Sequence, residues 1–429
     1  MVRVSGPKVK AIGRALLAEL PPPRVAAFRV FHGEDQEPLD EGLALFFPAP
    51  HSFTGEDILE LHGHGGPIVL EGVLQRVLSL GVRLARPGEF SERAFLNGKL
   101  DLAQAEALAD LIDSATSQAA RSALRSLQGA FSERVTALSE GLTRLRTFVE
   151  ASLDFPDEEL EFLDDQGLRH GFEHCMQTFE QLAREAHQGQ VLKDGLRVVI
   201  AGRPNVGKSS LLNRLARQER AIVTEIAGTT RDVIHAEITL DGLPMHITDT
   251  AGLRVTADPV EQEGVRRAKA VLAEADMVLF VVECGDLLTD ADRETLEGLP
   301  HGCRATIVHN KIDLTGTQPQ IISNGPWSEV FISARTSAGI TLLEQLLKSH
   351  AGYTDLREGG FTARRRHIEA LRRAKEHLED AHYHLLHNRA GELVAEGLRR
   401  SQEALSEITG EFTTEDLLGE IFSKFCIGK

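Results

Sequence analysis

Cysteine is scarce: the 429-residue chain has four, Cys175, Cys284, Cys303 and Cys426. No two stand close enough to form a Cys-x-x-Cys pair, which argues against a zinc ribbon or a disulfide framework and fits a reducing cytosol. Long apolar runs are also missing. The most apolar stretch, residues 277–284, is far too short to cross a bilayer, and residues 1–10 lack the apolar core of a signal peptide. These absences predict a cytoplasmic protein without stable membrane insertion. Positive charge is in deficit as well, with 47 Lys and Arg against 64 Asp and Glu and a formal net charge of -17. Bulk attraction to nucleic acid or an anionic membrane is therefore not expected, and any RNA contact has to come from a local patch.

What is present is ordinary for a chain that buries a core: 42% hydrophobic and 26% charged residues. The length suggests roughly two to four domains. Residues 1–97 alternate extended runs (2–4, 42–47 and 57–62) with breaks at Pro21-Pro22-Pro23, Pro48-Ala49-Pro50 and Gly63-His64-Gly65-Gly66. A helix is expected over 67–79, its first turn pre-set by Pro67. From Lys99 the apolar residues Leu100, Ala103, Ala107, Leu108, Leu111 and Ile112 recur at helical spacing. The pattern runs to about Gln190, interrupted at Phe155-Pro156. Residues 195–355 switch to strands (196–201, 245–248, 277–282, 305–309 and 329–332) alternating with helices. That is the pattern of a mostly parallel sheet covered on both faces. Helical texture returns after Gly359-Gly360. The expected organisation is a small α+β domain (1–97), an all-α domain in two parts (98–194 and 357–429), and an α/β domain (195–356) inserted between those parts.

The α/β segment carries the chemistry. Gly202-Arg-Pro-Asn205-Val206-Gly207-Lys208-Ser209-Ser210 follows an expected strand and opens an expected helix, the context a phosphate loop requires. Its glycines let backbone N–H groups curl around phosphates, Lys208 adds a cation at the β/γ oxygens, and the Ser209 hydroxyl suits Mg²⁺. Asp249-Thr250-Ala251-Gly252 ends another strand; Asp249 can hold the magnesium shell, and the Gly252 N–H can meet a γ-phosphate. Asn310-Lys311-Ile312-Asp313 follows a third. The Asp313 carboxylate can accept from N1–H and the 2-amino group of guanine, donors that adenine lacks, so GTP and GDP are the expected nucleotides. Ser333-Ala334-Arg335 fits a loop supporting the base.

In order and spacing these motifs resemble the Ras-like translation-factor superclass of GTPases. Thr224-Glu225-Ile226-Ala227-Gly228-Thr229-Thr230 is similar to the first switch loop of bacterial RNA-modification and ribosome-assembly GTPases, with Thr230 as a second magnesium ligand. Leu253 stands where Ras-like enzymes carry the glutamine that orients the attacking water. Leucine cannot do this, so another group must hold the water and a cation must meet the developing charge.

The flanks narrow the resemblance. Ser52-Phe-Thr-Gly-Glu-Asp57, His62-Gly-His-Gly-Gly66, Arg86-Pro-Gly-Glu-Phe-Ser-Glu-Arg-Ala-Phe95, Lys99-Leu-Asp-Leu-Ala-Gln-Ala-Glu106 and the ending Phe425-Cys426-Ile427-Gly428-Lys429 resemble the tRNA modification GTPase MnmE (TrmE) family over essentially the whole chain. The family pattern places a glycine-rich segment and a strand before Val-Arg-Val-Ser-Gly, whereas this chain begins at Met1. The resemblance implies a homodimeric, potassium-activated GTPase with a catalytic site containing Glu261 and Lys208. It implies potassium held by Asn205, Thr224, Ile226 and Thr229, and water oriented by Glu261. It further implies a flavin-dependent MnmG-type partner, with which a carboxymethylaminomethyl or aminomethyl group is placed on C5 of the wobble uridine of certain tRNAs. A 5-formyl or 5,10-methylene tetrahydrofolate donor is implied at Arg3, Glu60, Lys99 and Lys429.

Without the resemblance, Glu261 reads as a solvated acid at a helix start, and the four folate positions read as surface charges. Cys426 is either a buried structural thiol or a group beside the folate carbon; Gly428 and a terminal lysine fit a prenylation box poorly. His62 and His64 read as turn residues far more readily than as a metal pair. Arg364-Arg-Arg366-His367 is the best basic patch for tRNA, and equally a solvated helix face. An assembly-checkpoint GTPase that binds ribosomal RNA and modifies nothing is the alternative reading of the whole.

Overall fold

The computed structural model describes residues 1–153, 166–218, 234–249, 272, 275–300, 303–323, 325–351, 360–388, 390–411, 418 and 421–422. Two compact units form, one from Met1–Ala109, Ser126–Thr178 and Ala370–Lys429, the other from Asp110–Arg125 and Phe179–Glu369.

The first unit holds a four-stranded antiparallel sheet in the order β1 (Val2–Ser5), β4 (Ile58–His62), β3 (Pro38–Phe47), β2 (Ala27–His32). Side-chain alternation sends Phe31, Ala44, Phe46, Leu59 and Leu61 to one face, where they meet Val9, Ile12 and Leu16 of α1 (Val9–Leu17) and Val73 and Val77 of α2 (Pro67–Ser79). The same alternation puts Arg3 and Glu60, cross-strand neighbours, on the other face. Helix α2 has the predicted bounds, whereas α1 and β2 were not predicted and β3 starts at Pro38 rather than Gly42. Gly13 breaks the helical pattern of α1 in sequence, yet it lets the helix close on Leu20, whose Cδ2 lies 2.4 Å from where a Cβ would stand.

The helical part of this unit packs Ala130–Leu153 on Gly391–Thr409, burying Leu138, Leu142, Leu145 and Val149 on one and Val394, Leu398 and Leu405 on the other. Gly397 permits a close crossing: a Cβ there would stand 2.8 Å from Ala381 Cβ and 3.1 Å from the His377 carbonyl oxygen.

The second unit is built on a seven-stranded sheet in the order β10-β11-β9-β8-β5-β7-β6. β5 (Leu196–Gly202), β7 (Leu243–Asp249), β8 (Met277–Glu283), β9 (Arg304–Asn310) and β11 (Ser328–Phe331) run parallel. β6 (Ile234–Leu240) and β10 (Ile321–Ile322) are antiparallel edges. Both faces are covered. Val198, Ile200, Leu279 and Val281 join one apolar cluster, while Val199, Ala201, Val278, Phe280 and Val282 join another. The predicted strands are all present. β6 was missed although Asp241-Gly242, with φ of 49° and 89°, is a strong hairpin signal. Because the central strands are parallel, Gly202, Asp249, Glu283 and Asn310 all end at one edge of the sheet. That edge is where open α/β sheets take ligands.

Candidate nucleotide site

At this edge β5 turns into a helix, Lys208–Gln218. Gly202 has φ +131°, and a Cβ would lie 2.2 Å from the Val281 carbonyl oxygen; Gly207 has φ +98°, and a Cβ would lie 2.3 Å from Asn310 Nδ2. Glycine is required at both points by backbone conformation and by space. Between them Asn205 adopts the left-handed region at φ 64°. Lys208 is 7% exposed, and its ammonium donates to the carbonyl oxygens of Gly202 (2.8 Å) and Arg203 (2.7 Å). Ser209 and Ser210 lie in the first turn of the helix, at its positive end.

The base-reading segment is bound to this loop. Asn310, 2% exposed, donates from Nδ2 to the Val206 carbonyl (2.9 Å) and accepts at Oδ1 from the Ala334 N–H (3.0 Å). One side chain thus links the phosphate loop to residues 333–335. The buried Ser333 hydroxyl donates to Asp313 Oδ1 at 2.6 Å and accepts from the Thr336 N–H. Lys311, left-handed at φ 68°, donates to Glu283 Oε2 at 2.6 Å. Sequence reasoning missed Arg214, which donates to the carbonyls of Ala334 (3.1 Å) and Arg335 (2.9 Å). It also missed the partners of Arg203. Asp249 closes β7 in register with Ile200. Thr224, Glu225, Ile226, Ala227, Gly228, Thr229, Thr230, Thr250, Ala251, Gly252, Leu253 and Glu261 lie outside the described residues, as do Cys426 and Lys429.

In the N-terminal sheet Arg3 Nε and Nη2 reach Glu60 Oε1 at 2.8 and 2.7 Å, and His62 Nε2 lies 3.1 Å from Glu60 Oε2. The Arg3 guanidinium also sits 5.7 Å from the Phe90 ring centre. Lys99 lies against the Gly55 turn, its Cγ and Cδ 3.4 Å from where a Gly55 Cβ would stand. His64 is occupied by Asp40 (2.8 Å), a bond that raises the imidazole pKa. Nearby, Arg83 (2.6 and 2.7 Å) holds the buried Glu89 carboxyl down to about 2 against the opposing effect of burial, with further help from the Arg86 N–H and Arg93. The expected basic patch is smaller than its sequence: Arg364 donates to Asp110 Oδ1 at 2.6 Å, and His367 is 2% exposed with its Nδ1 accepting from the Arg364 N–H. Arg364 and His367 are therefore drawn inward, for neutralisation and capping respectively. Among the described residues no helix is long and apolar enough to cross a membrane.

The chain is similar in sequence to known proteins. Residues 1–99 match the family described as GTP-binding protein TrmE N-terminus, and residues 102–426 match the MnmE helical domain. The tRNA modification GTPase MnmE of Hydrogenovibrio crunogenus is 52% identical over 429 residues, covering 100% of this chain and 95% of that protein. The chain belongs to the MnmE family of tRNA modification GTPases. The MnmE protein of Proteus mirabilis is 53% identical over 436 residues, covering 100% of this chain and 96% of its own length. Among solved structures, Aquifex aeolicus Era bound to GDP and aluminium fluoride is 26% identical across 42% of this chain and 66% of that one, with a TM-score of 0.29. As an MnmE-family member the chain is a GTP hydrolase.

Proposed function

We propose that this chain is a potassium-activated, homodimeric GTPase that works with an MnmG-type flavin-dependent partner and a tetrahydrofolate one-carbon donor. The product is a carboxymethylaminomethyl or aminomethyl group at C5 of the wobble uridine of certain tRNAs. The observation that carries the hydrolytic part is Asn205, left-handed in the loop between two glycines whose positive φ and close neighbours disfavour any side chain. That fixed backbone suits a residue presented to a cation at the phosphates. Asn205 would hold potassium with Thr224, Ile226 and Thr229, and the ion would supply positive charge where other GTPases use an arginine. Ser209 and Thr230 would hold Mg²⁺, with Asp249 in its shell. Lys208 orients the phosphates, and Glu261 orients water in place of the glutamine that Leu253 replaces.

For the folate, Arg3, Glu60 and Lys99 would provide the contacts together with Lys429. Two Arg3 nitrogens occupy Glu60 Oε1, whereas Oε2 meets only His62 and retains accepting capacity for a pterin N–H donor. Cys426 stands in the family's terminal motif, either as structural thiol or beside the folate carbon.

Two measurements test the hydrolytic reading together. GTP turnover in KCl is expected to exceed that in NaCl of equal ionic strength by at least about tenfold. Glu261→Ala is expected to lower kcat on the order of a hundredfold, the usual effect of losing a group that positions or activates the nucleophile. Equal rates in the two salts, or an unchanged kcat in the variant, would contradict it.

A further inference from the structure

Arg203 is the second residue of the phosphate loop, and it is held from two sides. Its carbonyl accepts from the Lys208 ammonium at 2.7 Å. Its guanidinium donates to Asp292 Oδ2 and to the Leu287 carbonyl (3.2 Å), with Asp286 Oδ2 3.9 Å from Nη1. Asp292 is itself fixed. It is 7% exposed, and the same Oδ2 accepts from the Thr289 N–H (2.9 Å) and hydroxyl (2.7 Å) in a capping box that starts the helix Asp290–Glu297. Burial opposes the charged carboxyl, but the bonds from Arg203 and Thr289 outweigh it and keep its pKa below the ordinary value.

We propose that Arg203 is a positioning residue, and that its pairing with Asp292 sets the rate at which GDP leaves the site. A phosphate cradle works only while its N–H groups keep one curve. The Arg203–Asp292 pair ties the outer side of that curve to residues 286–292, and Lys208 ties the inner side. Freeing the guanidinium lets the loop relax between Gly202 and Gly207, and the N–H groups lose their common aim. Residues 286–292 become a lever on the phosphates, reached through a single ion pair. This inference rests on the assignment of residues 202–209 as the phosphate loop.

The sign of one variant separates positioning from simple charge. If Arg203 acted as a cation toward phosphate, Asp292→Asn would remove the competing charge and slow GDP departure. If it acts through the clamp, Asp292→Asn speeds departure: an asparagine oxygen in the place of Oδ2 still accepts from Thr289 and preserves the cap, while its bond from Arg203 loses the ion pair. The experiment chases a fluorescent GDP analogue from the full chain with excess GDP, for wild type, Arg203→Ala, Arg203→Lys, Asp292→Asn and the Arg203→Ala/Asp292→Asn double variant. Loss of this charge-assisted bond is expected to speed release roughly tenfold in Arg203→Ala. Arg203→Lys and Asp292→Asn should fall between that and wild type, and the double variant should be no faster than Arg203→Ala. Thermal melting of the nucleotide-free proteins shows that the compared variants are folded. Slower or unchanged release from Asp292→Asn, or additive effects in the double variant, would overturn the proposal. Failure of the wild type to bind the analogue would instead overturn the phosphate-loop assignment, and the proposal with it.

Discussion

Lys208→Ala is expected to lower kcat/KM for GTP about a thousandfold, the scale lost when a preorganised cation is taken from a transferring phosphoryl group. The ammonium is nearly buried and lies on two loop carbonyls, so the loop is built around a cation. In the variant, the carbonyls of Gly202 and Arg203 lose those bonds, and the phosphates lose a charge in a place where screening is weak. The alanine gains slightly in helix propensity, a few tenths of a kcal/mol, which is far too small to compensate. Steady-state hydrolysis together with titration of a fluorescent GDP analogue checks this. Turnover within about tenfold of wild type would mean that another group supplies the charge at the phosphates.

Asp313→Asn is expected to weaken GDP binding by about a hundredfold or more and to convert the preference from guanine to xanthine nucleotides, because unpaired polar groups in a base site are heavily penalised. The Ser333 hydroxyl decides which way the new amide faces. It donates to Asp313 Oδ1, so in the variant the amide oxygen keeps that bond and the amide nitrogen is directed toward the base. A nitrogen donor opposes the guanine 2-amino group but suits the 2-oxo group of xanthine. Competition between GDP and XDP for the variant measures the switch. A retained guanine preference would remove Asp313 from base reading.

The residues in these two predictions were legible because their motifs are local. Four to eight consecutive positions encode the phosphate loop and the Asn310–Asp313 segment, and each follows an apolar strand that places it. What joins the motifs was not legible. Asn310 to Val206, Arg214 to Ala334 and Arg203 to Asp292 bridge residues far apart in the chain. Nothing in the spacing of either partner announces the other. The Thr289–Asp292 capping box could have been read from sequence; its use as an anchor for Arg203 could not. In the N-terminal sheet, the Arg3–Glu60 pair follows from the register of β1 on β4, which alternation alone does not give because it says which face a residue takes and not which strand or residue lies opposite. The basic patch at 364–367 is smaller than its sequence for a related reason. A run of like charge looks solvated until the fold supplies Asp110.

The central claim is that GTP hydrolysis by this chain drives wobble-uridine modification. The most direct test is nucleoside analysis of tRNA from a strain lacking the gene, complemented with wild type or with Lys208→Ala. The account predicts loss of the C5 carboxymethylaminomethyl and aminomethyl groups in the deletion strain, full return with wild type, and no return with Lys208→Ala. Unchanged wobble uridines in the deletion strain, or restoration by the Lys208 variant, would contradict it.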